Sequence, residues 1–168
     1  MAADRATTAG ADREWALLAY RLPREPSTPR ITLWRKLRRI GAVQVVDGLV
    51  ALPASARTRE QLDWLADEVV EAGGEAWIWV ARSASRRQDA DLEQQIEQAA
   101  AADYGALLDE LERLADEPLT RRTVARLRRE LHRIEARDHA APPQREQARR
   151  AVELLAARLS VDAEEVAR

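Results

Sequence analysis

The chain has 168 residues, 27 basic and 29 acidic, for a formal net charge of −2, and it contains neither Cys nor Phe. That length holds one domain, or one small domain with an appended subdomain. The missing Cys excludes a disulfide framework, a thiol nucleophile and Cys-based metal sites, and fits a reducing cytoplasm. No run approaches the roughly 20 apolar residues of a membrane span. Near-neutrality conceals a strong polarity. Residues 1–60 carry eleven bases against six acids, residues 61–118 four against fifteen, and residues 119–168 twelve against eight.

Residues 1–13 are polar and Ala/Thr-rich, and read as a disordered tail rather than a signal peptide. The apolar run at 14–22 (EWALLAYRL) is too short for a comfortable helix and suits a buried strand. Pro23, Pro26 and Pro29 then impose an extended connection, because a residue preceding proline is pushed out of the helical region. Ser27 or Thr28 caps a helix with Pro29 at its start, and Gly41 ends it. On that helix Leu33, Trp34, Leu37 and Ile40 are predicted inward, with Arg35, Lys36 and Arg39 facing away.

Strands follow at 42–46 and 49–52, joined by Asp47-Gly48, the preferred dipeptide of a type I′ hairpin. Thr58-Arg59-Glu60-Gln61 reads as a capping box opening a helix with Leu62, Leu65, Ala66 and Val69 inward, and Gly73-Gly74 stops it. A fourth strand covers 75–81 (EAWIWVA). The order strand, helix, strand, strand, helix, strand predicts an α+β domain of the ferredoxin-like βαββαβ type over residues 14–84. Beyond it the period becomes 3.6, which predicts an all-helical subdomain of about three helices over residues 85–168. Gly105 interrupts the first of these at a cost of about 1 kcal/mol against Ala.

Of the five tryptophans, Trp15, Trp34 and Trp64 fall at or near inward positions and are assigned to the core. Trp77 and Trp79 share one face of their strand, where they either pack beneath the following helices or form a stacking platform; packing is the favoured reading.

Catalytic chemistry finds little support. His132 and His139 lack the spacing and companions of a metal site. No Gly-rich phosphate loop or G-x-S-x-G context is present. The acids Asp109, Glu110, Glu112, Asp116 and Glu117 read as a solvated helix face. No catalytic residue, metal ligand or cofactor is therefore assigned, and no turnover is expected.

The chemistry that does stand out is cationic. Between Arg21 and Arg39 lie seven bases (Arg21, Arg24, Arg30, Arg35, Lys36, Arg38 and Arg39) and one acid, Glu25. Clustered like charges repel one another and usually face an anionic partner. A basic helix backed by apolar residues and followed by a hairpin has the layout of a helix-plus-wing DNA reader, so all seven are assigned to duplex DNA. Two alternatives remain for the same cations. Arg21, Arg24 and Arg30 could cage a tetrahedral oxyanion. The basic face could instead bind an acidic protein surface, including the 61–118 segment of a second copy.

The segments RLPREPSTPRITLWRKLRRIGAVQVVDGLVALP, EAGGEA at 71–76, DYGALLDEL at 103–111 and EARD at 135–138 resemble the amino-terminal domain of the ChrB-type chromate-resistance regulators. A weaker likeness, confined to the helix and hairpin, extends to the phenylacetate-catabolism repressors. The first resemblance implies a cytoplasmic transcriptional regulator of a chromate-efflux operon, with its arginine-rich region on DNA. The ferredoxin-like nucleases of CRISPR adaptation carry a metal-binding Asp at the end of the first strand. Here that position reads Ala19-Tyr20-Arg21-Leu22, which argues against hydrolysis. Members of the chromate family usually continue into a carboxy-terminal domain, so the resemblance leads to the expectation of a stand-alone amino-terminal domain here. Duplex DNA, chromate or a related oxyanion, and a second copy in a homodimer are the expected partners.

Overall fold

The structure, a computed structural model, describes residues 13–115 and 117–166. The tail expected at residues 1–13 lies almost wholly outside them. The elements run β1 (Glu14–Arg21), α1 (Thr28–Arg39), β2 (Val43–Val46), β3 (Leu49–Pro53), α2 (Ala56–Glu71), β4 (Glu75–Arg82), α3 (Arg86–Arg113), α4 (Arg121–Arg137) and α5 (Pro143–Val166). They form a mixed α+β protein with one four-stranded antiparallel sheet, ordered β2-β3-β1-β4, and five helices. Two compact units divide within α3, between Ile96 and Glu97.

In the first unit the strand alternation sorts side chains onto two faces. Ala16 and Leu18 of β1, with Val50 and Leu52 of β3, meet Leu33 and Leu37 of α1 and Leu62, Leu65 and Val69 of α2. On the opposite face Trp15, Val43 and Ala51 pack with Ile96 and Leu92 from the start of α3. Trp15 is fully buried, and its indole N–H donates to Asp89 Oδ1 at 2.8 Å, which satisfies a polar atom that burial would otherwise leave unpaired.

The local signals hold with five corrections. Ser27 precedes α1 with helical backbone angles and its side chain makes no capping hydrogen bond, so α1 starts without the expected cap. The α2 cap is Ser55, whose hydroxyl accepts from the Thr58 N–H while Thr58 Oγ1 accepts from the Ser55 N–H; the capping box sits three residues earlier than predicted. In the hairpin Gly48 has φ +75° but Asp47 does not have positive φ, so the turn is not type I′, and a register shift between Gln44 and Val46 takes up the difference. Trp34 and Trp64 are 49 % and 69 % exposed instead of buried. Trp77 and Trp79 share a face as predicted, but are 53 % and 58 % exposed rather than packed.

In the second unit many of the charges are paired with one another. Leu127 and Ile134 of α4 meet Tyr104, Leu107 and Leu111 of α3 and Ala148, Val152 and Leu155 of α5. Around this core the arginines of one helix meet carboxylates of another: Arg126 with Glu110 at 2.7 Å, Arg137 with Asp103 at 2.7 Å, Arg149 with Glu135 at 2.5 Å and Arg128 with Glu153 at 3.2 Å. Glu110 thus belongs to an ion pair and not to a solvated face; Asp116 lies outside the described residues. Two of the segments that carried the family resemblance also meet. Asp103 and Tyr104 reach Arg137 and Asp138, the Tyr104 hydroxyl donating to Asp138 Oδ2 at 3.0 Å. Burial, then that carboxylate, pushes the phenol well above its usual range. Asp138 Oδ1 accepts the N–H groups of Ala140 and Ala141, so one side chain shapes the turn into α5.

Two glycines make opposite predictions. A Cβ on Gly48 would lie 2.6 Å from the Tyr20 carbonyl oxygen, at a φ that L-residues avoid; Gly48→Ala should cost about 1–3 kcal/mol. Gly105, inside an uninterrupted α3, has open space where its Cβ would stand, so Gly105→Ala should add about 0.5–1 kcal/mol. Urea unfolding of the two variants should show midpoints displaced in opposite directions.

Candidate nucleic-acid interface

The seven cations fall into three environments. Arg21 ends β1, and its guanidinium meets Glu75 Oε2 across the β1–β4 ladder at 2.9 Å. Arg24 is exposed in the proline loop, in which the Glu25–Pro26 peptide is cis. Arg30, in the first turn of α1, donates to the Pro23 carbonyl at 2.9 Å and fastens that loop to the helix. These three are the proposed oxyanion cage, and two of them are already engaged within the chain.

Lys36 departs most from its predicted role. Its ammonium donates to both Glu68 oxygens at 2.6 Å, linking α1 to α2 in a half-buried pair. The reason is angular. At 100° per residue, Lys36 stands to one side of the Leu33–Leu37 stripe, on the flank that α2 packs against. Trp34 stands off the other flank, which is why it is exposed.

The outward arc of α1 between those flanks holds Ile31, Trp34, Arg35, Arg38 and Arg39. Arg38 lies over the Trp34 ring, 5.0 Å from its centroid, a cation–π contact within the exposed arc. Among the described residues no carboxylate pairs with Arg35, Arg38 or Arg39. Four of the seven arginines of α4 differ in this respect: Arg126, Arg128, Arg133 and Arg137 each have an acidic partner. α1 also has no acid in its first turn and three bases in its last, so the positive potential persists along its length. The β2–β3 hairpin follows after three residues and carries a bulged, exposed tip with Val45 and Val46.

No group of His, Cys, Asp and Glu able to hold a metal ion occurs among the described residues, and none of their helices is long and apolar enough to cross a membrane. The angular position of Lys36 relative to the Leu33–Leu37 stripe was the one signal that could have flagged its pairing from sequence. The Arg38–Trp34 contact was legible as an i, i+4 pair, but the inward assignment of Trp34 hid it.

The model of the family described as "Protein ChrB, N-terminal" matches residues 30–168. The chain belongs to this ChrB amino-terminal family. Protein ChrB of Cupriavidus metallidurans is 32 % identical over 77 residues, which cover 46 % of this chain and 24 % of that protein. The chain thus matches about a quarter of that relative's length. No solved structure matches it. The ChrB match begins at Arg30, so it includes the whole outward arc of α1 and leaves Arg21 and Arg24 before it.

Proposed function

We propose that this chain is a cytoplasmic, non-catalytic transcriptional regulator of the chromate-resistance type, which binds duplex DNA through the outward arc of α1 and the adjoining hairpin. The observation that carries the reading is that Arg35, Arg38 and Arg39 project together from one arc of α1 without acidic partners among the described residues, whereas Arg126, Arg137 and Arg149 are each paired with a carboxylate. Guanidiniums contact phosphates for affinity and can reach guanine O6 and N7 for specificity. Arg30 and the Lys36–Glu68 pair hold the helix in place rather than carry the main contact. We also read the first unit as ferredoxin-like; the βαββαβ order, the β2-β3-β1-β4 sheet and the packing of α1 and α2 on one face support that.

Direct binding to oxyanions is the weaker reading, because Arg21 and Arg30 already have Glu75 and the Pro23 carbonyl as partners. The test is fluorescence anisotropy with duplex DNA from upstream of the protein's own gene. Binding should weaken steeply with salt, with a log–log slope of about −0.9 per phosphate contact. A salt-independent affinity, or no binding at low salt, would refute the proposal.

A further inference from the structure

The sheet has two edges, and they are built differently. β2 has four residues, and its register shifts at Gln44/Val46, irregularities that blunt an edge against further pairing. β4 has eight residues, all paired in unbroken register with β1. Every second residue of β4 directs its N–H and C=O away from β1, and among the described strands nothing pairs with them. Between Glu75 and Arg82 the sequence is Ala-Trp-Ile-Trp-Val-Ala, without charge, proline or glycine. Exposed apolar side chains flank this edge on both faces: Trp77 and Trp79 on one, Val80 on the other. Val70 of α2, the helix packed over β4, is exposed as well. Between its charged ends this edge has no proline, bulge or inward charge, the devices within a strand by which monomers keep edges from pairing.

We propose that the outer edge of β4 pairs antiparallel with β4 of a second copy of this chain, making a continuous eight-stranded sheet across a two-fold axis at Ile78. Directly opposed residues of an antiparallel pair share a face, so the strand can pair with itself only where the opposed residue numbers have an even sum. With Ile78 facing its own copy, Trp77 faces Trp79 of the second copy and Ala76 faces Val80, so each opposed pair in this stretch is apolar.

The charges at the strand ends favour a second copy over an arbitrary peptide. Glu75 is neutralised by Arg21 at 2.9 Å and Arg82 meets Glu14 at 3.4 Å, so two copies approach without like charges facing each other. The ladder, the two tryptophans and the two valines together bury on the order of 1,000 Å², enough for a specific interface. This inference stands independently of the DNA reading.

Sedimentation equilibrium of the intact chain at micromolar concentration should give twice the 18.9 kDa chain mass. The double variant Trp77→Glu, Trp79→Glu should be monomeric with an unchanged circular-dichroism spectrum, since both side chains are exposed. If that variant fails to fold, cross-linking decides. The chain has no native Cys, so in Ile78→Cys the only thiol lies on the proposed axis and should oxidise to a disulfide-linked dimer, whereas Trp64→Cys on α2 should not. A monomeric wild type would overturn the proposal. So would a dimer that persists in the folded tryptophan variant, cross-linking at position 64 but not at 78, or a monomer whose β4 amides are protected only by an added peptide.

Discussion

Replacing Arg35, Arg38 and Arg39 together with alanine is expected to lower affinity for duplex DNA by about two orders of magnitude and to flatten the salt dependence by roughly 0.9 per lost phosphate contact, or nearly three in all. The far-ultraviolet circular-dichroism spectrum should not change. All three side chains are exposed and none carries an ion pair among the described residues, so their removal takes little from the fold. Lys36→Ala gives the internal contrast. Its ammonium is committed to Glu68, so the variant should lose part of the α1–α2 connection and only a few-fold in DNA affinity. A triple variant that binds normally would remove α1 as the interface; a Lys36 variant as damaged as the triple one would show that the ion pair opens on DNA.

The largest stability effect is expected at Trp15. Truncation to alanine empties one of the largest fully buried sites in the first unit and should cost about 3–5 kcal/mol, enough to unfold a domain of ordinary stability. Asp89→Ala leaves the buried indole N–H without its acceptor and should cost about 1–3 kcal/mol. Because the two groups act as a pair, Trp15→Phe combined with Asp89→Ala should cost less than the sum of the single changes. Hydrogen bonds from Ser83 and Trp15 hold the Asp89 carboxyl below its usual range. A depressed folded-state pKa gives a contribution that is complete above the unfolded value near 4 and is lost as pH falls through the folded one. The acid limb of the unfolding midpoint against pH should therefore flatten in Asp89→Ala. Equal acid sensitivity in the variant and the wild type would show that Asp89 contributes nothing to it.

The local elements were legible because the signals that set them are short-range. The apolar period put Leu33, Leu37, Leu62, Leu65 and Val69 inward, the prolines and Gly41 bracketed α1, and Gly73 closed α2; the structure agrees on each. Trp64, two steps beyond Leu62, falls on the side of α2 opposite the Leu62–Leu65–Val69 stripe, whereas Trp34 lies just off a correctly predicted one. Trp34 is one step beyond Leu33, far enough at 100° per residue to leave the core. Hydrophobicity alone could not separate the two positions, because the boundary of a buried face is set by what packs against it. Trp77 and Trp79 fail differently: their shared face was readable from strand alternation, but whether anything covers that face is not a property of the strand.

By itself the sequence determined the order of elements, the two-part character of the chain, the concentration of positive charge between Arg21 and Arg39, and the family. Pattern, turn chemistry and composition act within a few residues and survive in one dimension. Only the tertiary structure decided which charges are spent. It joined Lys36 to Glu68 across 32 positions, Arg137 to Asp103 across 34 and Arg21 to Glu75 across 54, and it left Arg35, Arg38 and Arg39 without acidic partners among the described residues. A net charge counts all these groups alike. Pairing depends on distance through space, over which Coulomb attraction and desolvation act, and distance is what the fold supplies.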